Sequence, residues 1–329
     1  MRWISRTALT IICLLGLLAL GGAIYQSIAM RMDARRSPEP GTLVDIGGYN
    51  LEIYCTGGGS PTVILESGLG DLLPEWERVQ TGITKFSRVC SYDRAGYGGS
   101  DAGPMPRTSA LIATELHTLL QKAGEKPPFV LVGHSFGGYN MRVFNGDYPK
   151  EVAGLVLVDS PQEDEYEKFP PAWQSFSAAL SQHYNKQATV APFFVGLGIA
   201  RLMLQAQGGL GKDDYLILQA KYLKARASEL GSIRTSAEQA RAAGGLADKP
   251  LIVLAAGTTL GAAPIDGLTQ DGVVAFQRMW IEDLQPRLAR LSTRGKLVIL
   301  PNSGHNIPSE RPDAVVEAVR KICTAYGTH

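Results

Sequence analysis

The chain has 329 residues, 45% of them hydrophobic and 19% charged. That balance excludes a disordered or fibrous polypeptide and suits one globular domain with room for an insertion. Its 32 Lys and Arg against 31 Asp and Glu leave a formal net charge of +1, and no basic block stands beyond the first forty positions, so no nucleic-acid partner is expected.

Arg2 and Arg6 precede an uncharged run from Thr7 to Met30 with IICLLGLLAL at its centre. Such a run exceeds the roughly 18 apolar residues that cross a bilayer, whereas the apolar core of a cleaved signal has about 7–15. Segment 1–30 therefore reads first as a signal-anchor that ties the chain to a membrane. A cleaved signal peptide, with Ser27-Ile28-Ala29 as its small-x-small site, and a buried helix are the other readings. Arg31, Arg35 and Arg36 balance Arg2 and Arg6, so flanking charge sets no orientation. Residues 31–41, carrying SPEP, read as a polar linker.

LVDIGGYNLEIYC places apolar residues on either side of Gly47-Gly48 and predicts a β-hairpin. TVILES predicts a buried strand, WERVQTGITKF a helix, RVCSYD a strand, and SALIATELHTLLQKAG a helix ending at Gly124. FVLVGHS, GLVLVDS, LIVLAAG and KLVILP are further strands. FGGYNMRVFNGDYP, FQRMWIEDLQPRLARL and PDAVVEAVRKICTAY are further helices. Short Val/Ile/Leu runs alternating with amphipathic helices predict an α/β fold, a doubly wound and mostly parallel sheet covered on both faces.

Residues 161–249 break the rhythm with helical patterns such as FFVGLGIARLMLQAQ and DDYLILQAKYLKARASEL. This insertion predicts a helical cap above the C-terminal edge of the sheet, where ligands of such folds bind. The α/β core is then split into residues 42–160 and 250–329.

The sharpest motif is Gly133-His134-Ser135-Phe136-Gly137-Gly138, which follows a strand and opens a helix. A serine presented on a strained strand-to-helix turn needs neighbours without bulk, and Gly133 and Gly137 meet that need. Serine is unreactive at its own pKa and requires an adjacent base. His305 follows the strand KLVILP and its turn, so it reaches the same sheet edge as Ser135. His134, His117, His183 and His329 read as packing or solvent residues.

Four motifs in order, ESGLG, YDRAGYGGS, GHSFGG and SGHNIP, together resemble the α/β-hydrolase superfamily from Gly41 to the end. The resemblance implies Ser135 as nucleophile, His305 as general base, and an oxyanion hole from the backbone N–H groups of Leu69 and Phe136. Asp93 and Arg94 read as structural residues beside that loop. For the acid the resemblance offers two places: Asp159 in VLVDSP, taken as the first choice, and Asp266 beyond LIVLAAG as the alternative, with Asp283 behind both. The family's sheet would also make the strands holding Cys55 and Cys90 antiparallel neighbours, which implies a Cys55–Cys90 disulfide and an exported catalytic domain, with two buried free thiols in a cytosol-facing enzyme as the other reading. Cys323 is expected to be free.

The expected activity is cleavage of an ester with a hydrophobic portion, or else an amide or lactone, through an acyl-enzyme. An acyltransferase using the same residues and a non-catalytic receptor of the same fold are the rivals. Epoxide hydrolases and haloalkane dehalogenases are disfavoured, because they carry Asp where Ser135 stands. No H-E-x-x-H, Walker loop or zinc-type cysteine spacing is present, so no metal or cofactor is expected.

Overall fold

The apolar runs become the strands of one eight-stranded sheet, in a computed structural model that describes residues 2–36, 40–169, 171–209, 211, 214–258 and 269–327. The strands are β1 (Thr42–Asp45), β2 (Asn50–Thr56), β3 (Thr62–Glu66), β4 (Val89–Tyr92), β5 (Phe129–His134), β6 (Val152–Val158), β7 (Leu251–Ala256) and β8 (Gly295–Leu300). Their spatial order is β1-β2-β4-β3-β5-β6-β7-β8. The β1–β2 hairpin and the β2–β4 pair are antiparallel, and every other pairing is parallel. Asp45 accepts from the N–H groups of Gly47 and Gly48 and closes the hairpin turn, where both glycines hold positive φ.

Outside the insertion the helices are α1 (Arg2–Arg36), α2 (Glu77–Ile83), α3 (Ser109–Lys122) and α4 (Gly137–Asp147). Within it run α5 (Glu165–Lys168), α6 (Pro171–Gly196), α7 (Ile199–Ala206), α8 (Asp214–Ile217), α9 (Ala220–Gly231) and α10 (Ile233–Ala242). The chain ends with α11 (Gln270–Met279), a π-helical turn at Trp280–Leu284, α12 (Gln285–Ala289), α13 (Ile307–Glu310) and α14 (Pro312–Gly327).

Alternation along each buried strand divides the core into two layers. Phe129 and Leu131 of β5 pack with Leu116 of α3, Met141 of α4 and Leu288 of α12 on one face. Val130 and Val132 pack with Val79 and Ile83 of α2 and Val315 and Val319 of α14 on the other. Strands buried on both faces must be almost continuously apolar, which is why VIL, FVLV, LVLV and LIVL carry no polar residue.

Two expected boundaries move. The helix that begins in the apolar N-terminus continues through Arg36, so residues 31–36 are helical rather than linker; nothing in MRMDARR breaks a helix, and Pro38 is the first residue that would. The expected cap also extended to residue 249, but α10 belongs to the core. Its buried Ala237 and Ala240 join the layer of α3 and α4, because small residues let its backbone approach. A Cβ placed on Gly146 of α4 would lie 2.7 Å from Ala243 just past the end of α10.

Register sets the candidate site. Glu66 pairs with Gly133, His134 with Val158, and Ala256 with Leu300. The loops following β3, β5, β6, β7 and β8 therefore leave the sheet side by side at its C-terminal edge.

Candidate active site

The turn after β5 is strained at its centre: Ser135 holds φ 49°, in the left-handed region that costs a side chain energy. A Cβ on Gly133 would lie 2.6 Å from the Gly137 carbonyl oxygen, and one on Gly137 would lie 2.6 Å from the Glu66 oxygen. Both contacts are with backbone, so neither position admits a side chain without displacing the turn. Helix α4 begins immediately afterwards, with the positive end of its dipole beneath Ser135.

His305 Nε2 lies 3.0 Å from Ser135 Oγ, and His305 Nδ1 lies 2.7 Å from Asp159 Oδ2. A carboxylate only accepts, so Nδ1 carries the proton, and Nε2 presents a lone pair to the serine hydroxyl. Asp159 is fully buried, and its other oxygen accepts from the Ala256 N–H at 2.9 Å and from Trp280 Nε1–H at 2.8 Å. Both carboxylate oxygens are thus satisfied, which compensates for the burial of the charge. Asp159 too is at positive φ, 42°. Asp283 lies elsewhere, paired with Lys168 and Arg287. Asp266 lies outside the described residues.

The loop after β3 closes over the serine. A Cβ on Gly68 would lie 3.2 Å from Ser135 Cβ, so this loop and the nucleophile turn are in direct apposition. Among the described residues, neither the Leu69 nor the Phe136 N–H has an acceptor. Arg94 fixes the loop by donating to the carbonyls of Ser67 at 2.8 Å and Gly68 at 2.7 Å. The same buried guanidinium pairs with Glu66 and with Glu229 of α9, each at 2.8 Å. Burial pushes the Glu66 carboxyl up, against the pull of Arg94, and Tyr92 and Asn140 also hydrogen-bond it. This network ties the insertion to the loop.

Sequence reasoning missed two partners. Trp280 carries no signal that links it to Asp159 across the chain. His134, expected to pack or face solvent, is fully buried, and beyond packing its Nε2–H donates to the His305 carbonyl at 3.0 Å. Burial lowers its pKa, but the Glu75 carboxylate at 3.2 Å and Asp71 at 3.6 Å outweigh that and raise it to about 9. Asp71 is itself pushed up to about 6 by burial and by Glu75. Asp71, Glu75 and His134 come close enough to hold a cation, and His134 Nδ1, buried between the two carboxylates at ion-pair distance from each, has no hydrogen-bond partner among the described residues. Of the remaining histidines, His117 stacks on Tyr148, His183 is exposed, and His329 lies outside the described residues.

Cys55 and Cys90 face each other across the antiparallel β2–β4 pair and are joined by a disulfide. Cys13 and Cys323 are free.

The family model described as "Alpha/beta hydrolase family" matches residues 63–318. The uncharacterized protein YbdG of Bacillus subtilis is 29% identical over 145 residues, 44% of this chain and 45% of YbdG, so the chain spans less than half of that relative. An AB hydrolase superfamily protein of Gibberella zeae is 25% identical over 296 residues, covering 80% of this chain and 86% of its own. Among solved structures, a thermophilic esterase from Thermogutta terrifontis superposes with a TM-score of 0.60 at 22% identity, over 88% of this chain and 99% of the esterase.

Proposed function

The chain belongs to the alpha/beta hydrolase family, and from that premise we propose that it is a serine hydrolase that cleaves an ester through an acyl-enzyme on Ser135. The observation that carries this reading is the chain of hydrogen bonds from Ser135 Oγ through His305 to the buried Asp159.

In the proposed cycle Ser135 Oγ attacks the ester carbonyl carbon while His305 Nε2 takes its proton. The carbonyl oxygen becomes an oxyanion that accepts from the N–H groups of Leu69 and Phe136. Collapse breaks the bond to the alcohol oxygen, which leaves with the proton from His305. A water then gives a proton to His305, attacks the acyl carbon, and releases the acid and the free serine. Asp159 holds the imidazole in the required tautomer and stabilises the imidazolium. An ester is favoured over an amide because its alkoxide is the better leaving group. The aromatic cluster of Phe169, Trp173, Phe176, Phe276 and Trp280 beside Asp159 favours a substrate with a hydrophobic portion.

We also propose α1 as a membrane anchor, with the catalytic domain outside the cytosol. A rise of ~1.5 Å per residue carries Thr7–Met30 over roughly 36 Å, enough for about 30 Å of hydrocarbon. The Cys55–Cys90 disulfide suits an oxidising compartment.

A fluorophosphonate probe tests the nucleophile. The wild type should label on the Ser135 peptide and hydrolyse short-chain aryl esters, and Ser135→Ala should do neither while unfolding at an unchanged denaturant midpoint. Near-wild-type turnover in folded Ser135→Ala would end the reading.

A further inference from the structure

Helices α6 and α7 meet at 89° in a corner that juts from the insertion. Residues 187–200, which build it, contain no charged side chain. On its outer surface Phe193 is 64% exposed and Met203 is 59% exposed, and Val190, Phe194 and Leu202 also face outward. Water does not favour so many large apolar side chains together on a monomer, and a patch of this kind marks an interaction surface.

The corner is docked on α1 at a defined level. A Cβ on Gly22 would lie 2.3 Å from the Leu197 carbonyl oxygen, and one on Gly198 would lie 3.0 Å from the Tyr25 ring. The helix and the corner are therefore in backbone contact, with glycine required on both sides. Above that contact the polar groups gather. Arg201 donates to Gln26 at 3.0 Å and pairs with Asp33 at 2.7 Å, its side chain running along α1 away from the apolar stretch. Tyr25 donates to Gln205 at 3.1 Å. On the other side of the contact Leu15 and Leu18 of α1 line one apolar groove with Phe193, Leu197 and Leu202. With ~1.5 Å of rise per residue, that groove reaches roughly 6–16 Å from the level of Gln26. A basic side chain drawn toward the polar level while its neighbours stay apolar is the pattern of a segment seated in a membrane interface.

We infer that the α6–α7 corner is immersed beside α1 in the leaflet nearest the catalytic domain, so that lipid acyl chains cover Phe193, Phe194, Leu202 and Met203. The occupant is the hydrocarbon of the bilayer, because the patch is continuous with the apolar surface of α1 and shares its polar boundary. The insertion then holds the domain against the membrane at two points rather than on a single tether. This inference rests on the reading of α1 as a membrane helix.

The test uses the full chain with Cys13→Ser and Cys323→Ser, and one reporter cysteine at a time from Leu18→Cys, Phe193→Cys, Met203→Cys or Glu317→Cys. Each carries an environment-sensitive fluorophore and is reconstituted into phosphatidylcholine vesicles with or without brominated acyl chains. Positions 193 and 203 are exposed, so their replacement leaves packing intact. The labels at 18, 193 and 203 should lose fluorescence to brominated lipid to a similar extent, and the label at 317 should not. Quenching at 18 with none at 193 and 203 overturns the inference and leaves the anchor standing. Absence of quenching at 18 as well overturns the anchor itself. If the label at 193 is unquenched and unlabelled Phe193→Cys chains cross-link through a disulfide under oxidation, the patch belongs to a second copy instead. A membrane-impermeant maleimide gives a second readout: it should react with Phe193→Cys only after detergent is added, and ready reaction in intact vesicles oriented with the domain outward would overturn the inference.

Discussion

At the scale of residues, the acid is the position where the sequence left alternatives, and Asp159 is the carboxylate that meets His305 among the described residues. Asp159→Asn keeps the size of the side chain, and its carbonyl oxygen can still accept from Ala256 and Trp280. Its amide N–H groups would then face His305 Nδ1 and force the proton to Nε2, where it blocks acceptance from serine. Turnover should fall by about four orders of magnitude with little loss of stability, and kcat for a soluble ester with a denaturant midpoint measures both. Equal turnover in Asp159→Asn and wild type would remove Asp159 from the proposed mechanism.

His134 makes a second prediction at this scale. Its folded-state pKa of about 9 stands above the ordinary 6.5, so its contribution to stability is complete below about pH 6.5 and is lost as pH rises through about 9. The difference corresponds to something on the order of 3 kcal/mol. Asp71, at about 6, is largely ionised by pH 6.5 and adds slope only at the low end of that window, in both proteins. Urea midpoints between pH 6.5 and 9.5 should therefore fall more steeply for the wild type than for His134→Gln. Parallel curves would show that His134 does not titrate there.

At the scale of elements, α9 is tied to the loop after β3 by one buried charge cluster. Arg94 has two carboxylate partners at 2.8 Å, Glu66 and Glu229, and Glu229 is the one supplied by α9. Breaking a buried pair by removing one partner typically costs about 3–5 kcal/mol. Glu229→Leu should lower stability by an amount of that order, and activity should fall because Arg94 also holds the Ser67 and Gly68 carbonyls. A midpoint within error of wild type would mean that Glu66 alone neutralises Arg94.

Much of this level was legible in the sequence. The strands TVIL, FVLV and LVLV had to be buried on both faces, and GHSFGG between strand and helix left little freedom for Ser135. The harder features depend on neighbours distant in the chain. Nothing in IRTSAEQARA distinguishes a helix on the sheet from one in a cap, because its buried face is made of small residues. Trp280 reaches Asp159 across 121 positions by way of a π-helical turn that no local pattern announces. The role of His134 has no local signal because its neighbours, Glu75 and the His305 carbonyl, come from distant parts of the chain.

At the scale of the whole molecule, the disulfide links the fold to its compartment. It closes a separation of 35 residues, for which the chain-entropy model gives roughly 4 kcal/mol. Cys55→Ser with Cys90→Ser should lower the denaturant midpoint by an amount of that order, and non-reducing peptide maps of protein isolated from its native compartment should contain the linked peptides. Free thiols at both positions would contradict a domain facing an oxidising space.

The central claim is that an acyl group passes through Ser135, and rapid quenching with intact-peptide mass spectrometry tests it most directly. Mixed with an activated aryl ester and quenched in acid within the first turnover, the protein should release a burst of phenol. It should carry the acyl mass on the peptide containing Ser135, and neither signal should survive in Ser135→Ala. Hydrolysis of the ester with no burst and no acylated Ser135, or with the acyl group on another residue, would contradict the account.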